Sequence, residues 1–382
     1  MESNVPEQNL VEKIQAETDQ IIELLRNLVE LESPSHRKDL VDQVGALVVE
    51  HLGAQGFTPQ VVSRKEVGDI VWAEWGEREE GRILVLCHLD TVWEEGSLAR
   101  NPFRVEDGRI YGPGVFDMKA GVAATLKIQE YLARGWISPR RKVRFLYTTD
   151  EELTSTHSRE FIEDFARESE LVLITEPPLP GGDLKTTRKG VGSYVVKFHG
   201  KSAHSGLDPE KGINAVEELA QQIVGIHSLS VPALGTTVTV NVVRGGQAPN
   251  VIAEYAEATV DTRFRTLEEG ERVDGEIRHL KPHVPGIRLE IEGGIDRSPM
   301  VKTPRSEELR QSAQEIASEL GFDLGEGESG GGSDGNITAA LGIATLDGLG
   351  IPGDGAHAWH EHIEMSALVP RIALLARLIE RL

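Results

Sequence analysis

The sequence predicts an α/β protein: a central, mostly parallel sheet in a larger domain, interrupted by a smaller α+β domain. Three observations predict it. Apolar runs at residues 83–87, 142–148 and 171–175 have the length and lack of alternation of strands buried on both faces. Helical segments stand between them, and such alternation builds parallel sheets. From Gly190 the order becomes β-α-β-β-α-β, the split arrangement of a ferredoxin-like sandwich, and helix returns after Pro299.

The elements follow in order. Leu10, Ile14, Ile21, Ile22, Leu25, Leu28 and Val29 keep helical spacing through residues 8–32, and Ser33-Pro34-Ser35 stops that helix. Residues 40–52 form a second amphipathic helix, with Gly53 as its C-terminal signal. Strands are expected at 60–62, 69–75 and 82–87, a helix at 120–133 ended by Gly135, a strand at 142–148, a helix at 161–168 and a strand at 171–175. In the smaller domain strands fall at 190–199, 236–243, 255–265 and 287–292, with helices at 214–226 and 267–280. Helices at 306–320, 337–341 and 365–382 and a strand at 343–346 complete the chain. The larger domain is thus 1–188 with 299–382, and 189–298 is inserted into it.

Composition narrows the function. With 40 Lys+Arg against 62 Asp+Glu the net charge is −22, which repels nucleic acid and anionic membrane. Cys87 is the single cysteine, so no intramolecular disulfide forms. No run of 18 apolar residues suggests a membrane span, and residues 1–7 lack the basic and apolar regions of a secretory signal. A cytoplasmic enzyme is expected.

Three of the buried strands run into histidine or acid: Cys87 precedes His88, Thr149 precedes Asp150-Glu151-Glu152, and Thr175 precedes Glu176. Ligands bind outside the carboxyl ends of strands in open α/β sheets, so these groups share one rim. Asp117 follows a glycine-bounded turn, and His357 lies in Gly353–His362 before the last helix. A lone His-x-Asp such as His88-Leu89-Asp90 is more often a hydrogen-bonded core feature, and paired glutamates are more often a solvated face. The combination is different. Histidine and carboxylate donors without cysteine suit zinc, manganese or cobalt.

These motifs resemble the dinuclear zinc metallopeptidase and deacylase family that includes glutamate carboxypeptidase, acetylornithine deacetylase, succinyl-diaminopimelate desuccinylase and aminoacylase. The matching pieces are His88-Leu89-Asp90-Thr91-Val92, Tyr111–Lys119, Thr149–Glu152, Glu176-Pro177, Gly200–Gly206, Gly331-Gly332-Ser333-Asp334 and Gly355-Ala356-His357. Asn101-Pro102-Phe103 and the glutamate at 176 point to the glutamate carboxypeptidase branch. The resemblance implies a zinc-peptidase catalytic domain with an inserted lid and dimerisation domain. It implies that Asp117 bridges two zinc ions, with cobalt or manganese as substitutes. His88 and Glu176 would complete one ion, and Glu152 and His357 the other. Two such ions clamp the attacking water and the substrate carbonyl. Asp90 would hold the other ring nitrogen of His88, and Glu151 would be the general base that later protonates the leaving amine. From the inserted domain, His204 would donate to the oxyanion, and Arg263 with Asn250 would hold the substrate carboxylate. Gly332 would offer backbone N–H near that carboxylate. His204 can come from the partner subunit in relatives, so a homodimer through the inserted domain is expected.

His360 and His362 are read as starting the last helix or facing solvent. Two departures from the family stand out: Ala253 replaces the usual proline after Asn250-Val251-Ile252, and Thr154-Ser155 stands where Gly-Ser is common. Gly325–Gly330 matches dinucleotide spacing but lacks a preceding strand, and Gly331–Gly335 matches a nucleophile elbow without one. The reading is a metal-dependent hydrolase of short peptides or N-acyl amino acids with a free C-terminal carboxylate, a carboxypeptidase with glutamate as the candidate released residue. An N-acyl amino-acid deacylase is the first alternative and a metal-binding protein without catalysis the second.

Overall fold

The computed structural model describes residues 5–77 and 81–382. In chain order its elements begin with α1 (Val5–Ala16), α2 (Thr18–Glu30), α3 (Lys38–Ala54), β1 (Gln60–Val62), β2 (Ile70–Trp75), β3 (Arg82–His88), α4 (Ser97–Arg100), β4 (Arg104–Glu106) and β5 (Arg109–Tyr111). α5 (Ala120–Ala133), β6 (Lys142–Thr148), α6 (Arg159–Arg167), β7 (Leu171–Ile174) and β8 (Leu184–Arg188) follow. Next come β9 (Gly190–His199), α7 (Ala215–His227), β10 (Thr237–Gly245), β11 (Tyr255–Phe264), α8 (Leu267–Arg278) and β12 (Arg288–Arg297). The chain ends with α9 (Pro304–Glu319), β13 (Glu326–Ser329), α10 (Asp334–Ala340), β14 (Ala344–Leu346), β15 (Gly353–Asp354), β16 (His362–Glu364) and α11 (Leu368–Arg381).

Two compact units form. The first holds residues up to Thr187, 301–329 and 333–382, and the second holds Arg188–Met300 with Gly330–Gly332. The first is built on a sheet of order β1-β2-β6-β3-β7-β14, in which β6, β3, β7 and β14 are parallel and β1 and β2 run antiparallel at one edge. Alternate residues of β3 explain its unbroken apolar run. Ile83, Val85 and Cys87 enter the core on one face, Leu84 and Leu86 the core on the other. Both faces are covered by helices, as a parallel sheet requires.

The second unit is a four-stranded antiparallel sheet of order β10-β11-β9-β12. Tyr194, Val196 and Phe198 alternate onto its buried face with Ala256, Ala258 and Val260, under α7 and α8. Asn214 caps α7 by accepting from the N–H of Val216 and Glu217.

The structure corrects several expectations. The single helix at 8–32 is two, broken at Glu17. The Glu17 carboxylate turns inward to Lys127 Nζ at 2.8 Å and to Arg134, a tertiary pairing that apolar spacing does not register. β12 runs on to Arg297 because it pairs with β9 along its length. α10 starts at Asp334 rather than Ile337, since Ser333 and Asn336 form a capping box. The short strands β4, β5, β8, β13, β15 and β16 were not foreseen. Gly330–Gly332 packs with the second unit although its chain neighbours belong to the first. No helix among the described residues is long and apolar enough to cross a membrane.

Candidate metal centre

β3, β6 and β7 are parallel neighbours, with His88 opposite Thr148 and Leu86 opposite Ile174. Their carboxyl ends therefore bring His88, Glu151, Glu152 and Glu176 to one rim. Asp117 reaches the rim from the turn between β5 and α5. Gly114 opens that turn at φ +70°, and a Cβ on it would stand 2.5 Å from Thr91 Cγ2, so glycine is required there. The Asp117–Met118 peptide is cis. At Gly121 a Cβ would fall 2.0 Å from the Thr175 carbonyl, which lets α5 sit directly on the strand end before Glu176. Cys87, the residue before His88, is sealed between Thr125 and Thr175 hydroxyls at 3.3 and 3.1 Å.

His357 arrives on the turn between β15 and β16. These strands join β5 in a small antiparallel sheet of order β15-β16-β5-β4, with His362 opposite Tyr111. That sheet fixes the His357 turn against the segment leading to Asp117. His357 has φ +63°, a left-handed conformation that costs a non-glycine residue energy and clusters at functional sites.

Two sets of donors share Asp117. Its Oδ1 lies 3.2 Å from His88 Nε2, which is 3.3 Å from Glu176 Oε1. Its Oδ2 lies 3.5 Å from His357 Nε2, which is 3.5 Å from Glu152 Oε1. Bonds of about 2.0–2.1 Å to a tetrahedral zinc place neighbouring donors about 3.3–3.4 Å apart, so these gaps match edges of a coordination shell. Glu152 Oε1 is moreover buried and has no hydrogen-bond partner among the described residues. His88, Glu151 and Glu176 also offer donors within 4.8 Å of one another, as do His88, Asp117 and Glu152. The residues present thus fit two cations of the nitrogen- and oxygen-loving kind.

Electrostatics agree. Burial opposes a charged His88, yet Asp117, Asp90 and Glu176 outweigh it and hold the imidazole well above its ordinary range. Asp117 and Glu152 push His357 up to about 10. Burial works to raise Asp117, but His357 and His88 bring it below the usual carboxylate range. Burial raises Glu152, which His357 only partly offsets. The cluster is rich in negative charge and draws positive charge toward it, whether as protons or as metal ions.

The amino-acid pattern of residues 84–381 matches that of peptidase family M20/M25/M40. The chain belongs to this family. Carboxypeptidase G2 of Pseudomonas sp. (strain RS-16) is 29% identical over 377 residues, covering 96% of this chain and 90% of that one. Succinyl-diaminopimelate desuccinylase of Acinetobacter baumannii (strain ACICU) is 27% identical over 356 residues, 88% of this chain and 92% of that one. In fold, the M20 family metallo-carboxypeptidase Sso-CP2 from Sulfolobus solfataricus superposes with a TM-score of 0.76 at 18% identity, over 95% of this chain and 98% of that one. As an M20/M25/M40 peptidase the protein is a metal-dependent hydrolase of peptide or acyl-amino-acid bonds.

Other residues of this M20/M25/M40 chain depart from the sequence reading. His88 Nδ1 bonds to the backbone carbonyl of Asp90 at 2.9 Å, whereas the Asp90 carboxylate is 3.5 Å away. The carbonyl thus fixes the tautomer that points Nε2 at the cluster. The Asp90 carboxylate also accepts from Ser35 Oγ at 2.7 Å and from the backbone N–H of Glu151 and Glu152, each at 3.2 Å. It clamps the two-glutamate turn. Burial works to raise Asp90, and the His88, Ser35 and Glu152 bonds hold it below its ordinary value. His362 does not start a helix or face solvent: it is buried in β16, where its ring lies 5.3 Å from that of Tyr111. His360 is exposed, as expected. Thr154 and Ser155, the departure from Gly-Ser, take φ of +68° and +56°.

Two charged residues escaped the sequence reading. Lys185 Nζ stands 3.9 Å from Glu176 Oε2, and nothing in its alternating strand marks it. Glu361 is completely buried. The sequence signal was an acid between two histidines, and it was passed over with them.

Within the second unit, His204 and Asn250 come together. Ser205 N–H donates to the Asn250 carbonyl at 3.0 Å, and Ile252 N–H to Ala203 at 2.9 Å. His204 is exposed, and its Nδ1 accepts from the N–H of Gly206 and Leu207 at 3.1 and 3.2 Å. Neutral imidazole then carries its proton on Nε2, facing outward. Arg263 lies elsewhere. It sits near the far end of β11, opposite Val191, while Tyr255 at the near end is opposite His199. Its guanidinium is engaged by Asp261, with Nε–Oδ1 at 3.0 Å and Nη2–Oδ2 at 2.7 Å. Gly332 packs against Val191 and Arg297, and its carbonyl accepts from Arg188 Nη1 at 3.1 Å.

Proposed function

We propose that the protein is a cytoplasmic, homodimeric dizinc carboxypeptidase that releases a C-terminal amino acid, glutamate first among them, from short peptides or N-acyl amino acids. The observation that carries this reading is the shared carboxylate: Asp117 Oδ1 toward His88 and Oδ2 toward His357, each histidine backed by a further glutamate. His88, Asp117 and Glu176 would hold one zinc, and Asp117, Glu152 and His357 the other; cobalt or manganese would substitute. When bound, such ions polarise the scissile carbonyl and lower the pKa of water.

The chain's own residues then act as follows. The Glu151 carboxylate, in the buried cluster with His88 and Glu176, takes a proton from the attacking water and delivers it to the leaving amine nitrogen. Its backbone is held by Asp90, which keeps the carboxylate placed for both transfers. His204 donates from Nε2 to the oxyanion. Arg263, exchanging Asp261 for substrate, grips the free carboxylate together with Asn250 and backbone N–H of Gly332.

The position of these groups supports a dimer. Tyr255 to Arg263 is eight strand residues, or about 26 Å at the usual rise, so Arg263 and the His204–Asn250 loops of one sheet cannot reach the same small substrate. His204 and Asn250 of one subunit would serve the site of the other. β10 is an unpaired sheet edge with Val242 and Val243 exposed, and such an edge pairs readily with a second copy. The inserted unit, residues 189–298, is in this reading both lid and dimerisation domain.

A deacylase of N-acetyl or N-succinyl amino acids is the second reading, favoured by the similarity to a desuccinylase over nearly the whole chain. The test is metal analysis joined to hydrolysis of C-terminal-glutamate peptides against N-acetyl and N-succinyl amino acids. Two zinc equivalents with peptide turnover supports the carboxypeptidase. Turnover of acyl-amino acids alone moves the protein to the deacylases, and fewer than two metals overturns the dizinc centre.

A further inference from the structure

We infer that Glu361 is a positioning residue for the metal centre, a buried carboxylate that sets both Asp117 and His357 without touching metal or substrate. The inference rests on the dinuclear reading above and deepens it. Glu361 is fully buried, and its two oxygens take four donors. Oε1 accepts from the backbone N–H of Phe116 at 2.9 Å and of Asp117 at 3.0 Å. Oε2 accepts from the N–H of Gly114 at 2.9 Å and from Trp93 Nε1 at 2.6 Å.

Three of the four donors belong to the turn that carries Asp117. Backbone N–H groups that converge like this have no partner of their own in a tight turn and would be orphaned without an acceptor. Glu361 is thus the template on which the turn is folded. It is also the last residue of the His357 turn: its own N–H donates to Ala358 at 2.8 Å, and Ala358 N–H donates to Gly355 at 2.9 Å. A Cβ on Gly355 would lie 3.0 Å from Glu361 Cα, so that turn closes tightly upon it. One side chain therefore joins the shared carboxylate to the histidine that faces its Oδ2. Metal affinity depends on such outer contacts because they fix ligand orientation before the ion arrives.

Glutamine is the discriminating substitution. Glu361→Gln keeps size and one acceptor oxygen, but its NH₂ must face either the Phe116–Asp117 pair of donors or the Gly114–Trp93 pair. Donor then meets donor, and one half of the template is lost. Titration of the metal-free protein with Co²⁺, followed by calorimetry and by visible absorption, should give two equivalents for the wild type. For Glu361→Gln the Kd of at least one site should rise about 10–100-fold, with an altered cobalt spectrum; the apo-protein melting midpoint should fall as well, because two buried donors lose their acceptor. Unchanged affinity and spectrum in Glu361→Gln, with two sites filled in the wild type, overturns the positioning role and leaves the dinuclear reading intact. A wild type that takes up no cobalt overturns both. Should Glu361→Gln fail to fold, Trp93→Phe removes one donor and leaves every backbone group in place. A several-fold loss of affinity there supports the role, and no change overturns it.

Discussion

The rim of the parallel sheet and the His204 loop of the second unit hold reactive imidazoles in opposite ways. At the rim, His88 is 2% exposed, its Nδ1 bonded to a backbone carbonyl and its Nε2 facing two carboxylates. His204 is exposed, and its Nδ1 accepts from two backbone N–H groups. The difference suits the role proposed for each place. Metal ligands must be oriented before the ion binds, so burial and a dense hydrogen-bond shell serve them. A group that meets the substrate only when the site is assembled has to remain accessible until then.

Substitutions can break or sharpen that contrast. The largest effect is expected at the rim itself. Glu151→Ala should lower kcat by about 10²–10⁴-fold, the usual worth of a general acid–base, with both metals retained in elemental analysis; loss of a metal would exchange the roles of Glu151 and Glu152. Next is His204→Ala, expected to lower kcat about 10²–10³-fold as for an oxyanion donor, with metal content and melting temperature unmoved. The two variants together separate cis from trans action. Mixed and re-equilibrated, Glu151→Ala and His204→Ala subunits should recover about one quarter of wild-type activity if a two-fold dimer shares His204 across subunits. Recovery of nothing would place His204 in its own subunit's site.

Stability effects come lower. Asp90→Ala takes the acceptor from the N–H groups of Glu151 and Glu152 and leaves Ser35 Oγ only the Thr91 carbonyl at 3.2 Å, so it should cost about 2 kcal/mol or more in chemical denaturation at roughly 1–3 kcal/mol per buried orphan. The smallest effect has the opposite sign. Thr154 is β-branched and left-handed at φ +68°; Thr154→Gly should stabilise by about 0.5–1 kcal/mol, the relief of left-handed strain less glycine's extra chain entropy. A lowered melting temperature would mean that the Thr154 hydroxyl, 3.4 Å from Thr156 Oγ1, matters more than its backbone.

The rim was legible because its cause is local. A buried strand must be apolar, so a histidine or acid that ends the run marks where the strand leaves the core, as at His88 and Glu176. The ferredoxin-like order of the second unit was legible for a similar reason, since Tyr194, Val196 and Phe198 alternate onto one face. What escaped is set by partners distant in sequence. His362 sits in a strand of three residues whose identity comes from pairing with Tyr111, and three residues carry no period. The break at Glu17 leaves the apolar spacing from Ile14 to Ile21 undisturbed, because its cause is a pairing with Lys127 on another helix. The resemblance pairs Asp90 with His88, 3.5 Å away, but its carboxylate also reaches some sixty residues ahead to the two-glutamate turn, which no spacing shows. The roles of Glu151, Glu152 and Glu361 share this property: sequence offers the carboxyl groups, and only the fold decides which one faces what.

Cys87 has a practical consequence. It is the only thiol in the chain, it is 1% exposed, and burial pushes it up to about 11, so it holds almost no thiolate at neutral pH. A cysteine introduced at any exposed position would be the sole group addressable by maleimide chemistry. One dye on each unit, attached through a pair of such cysteines, would turn the native chain into its own fluorescence ruler, with no background mutation beside His88.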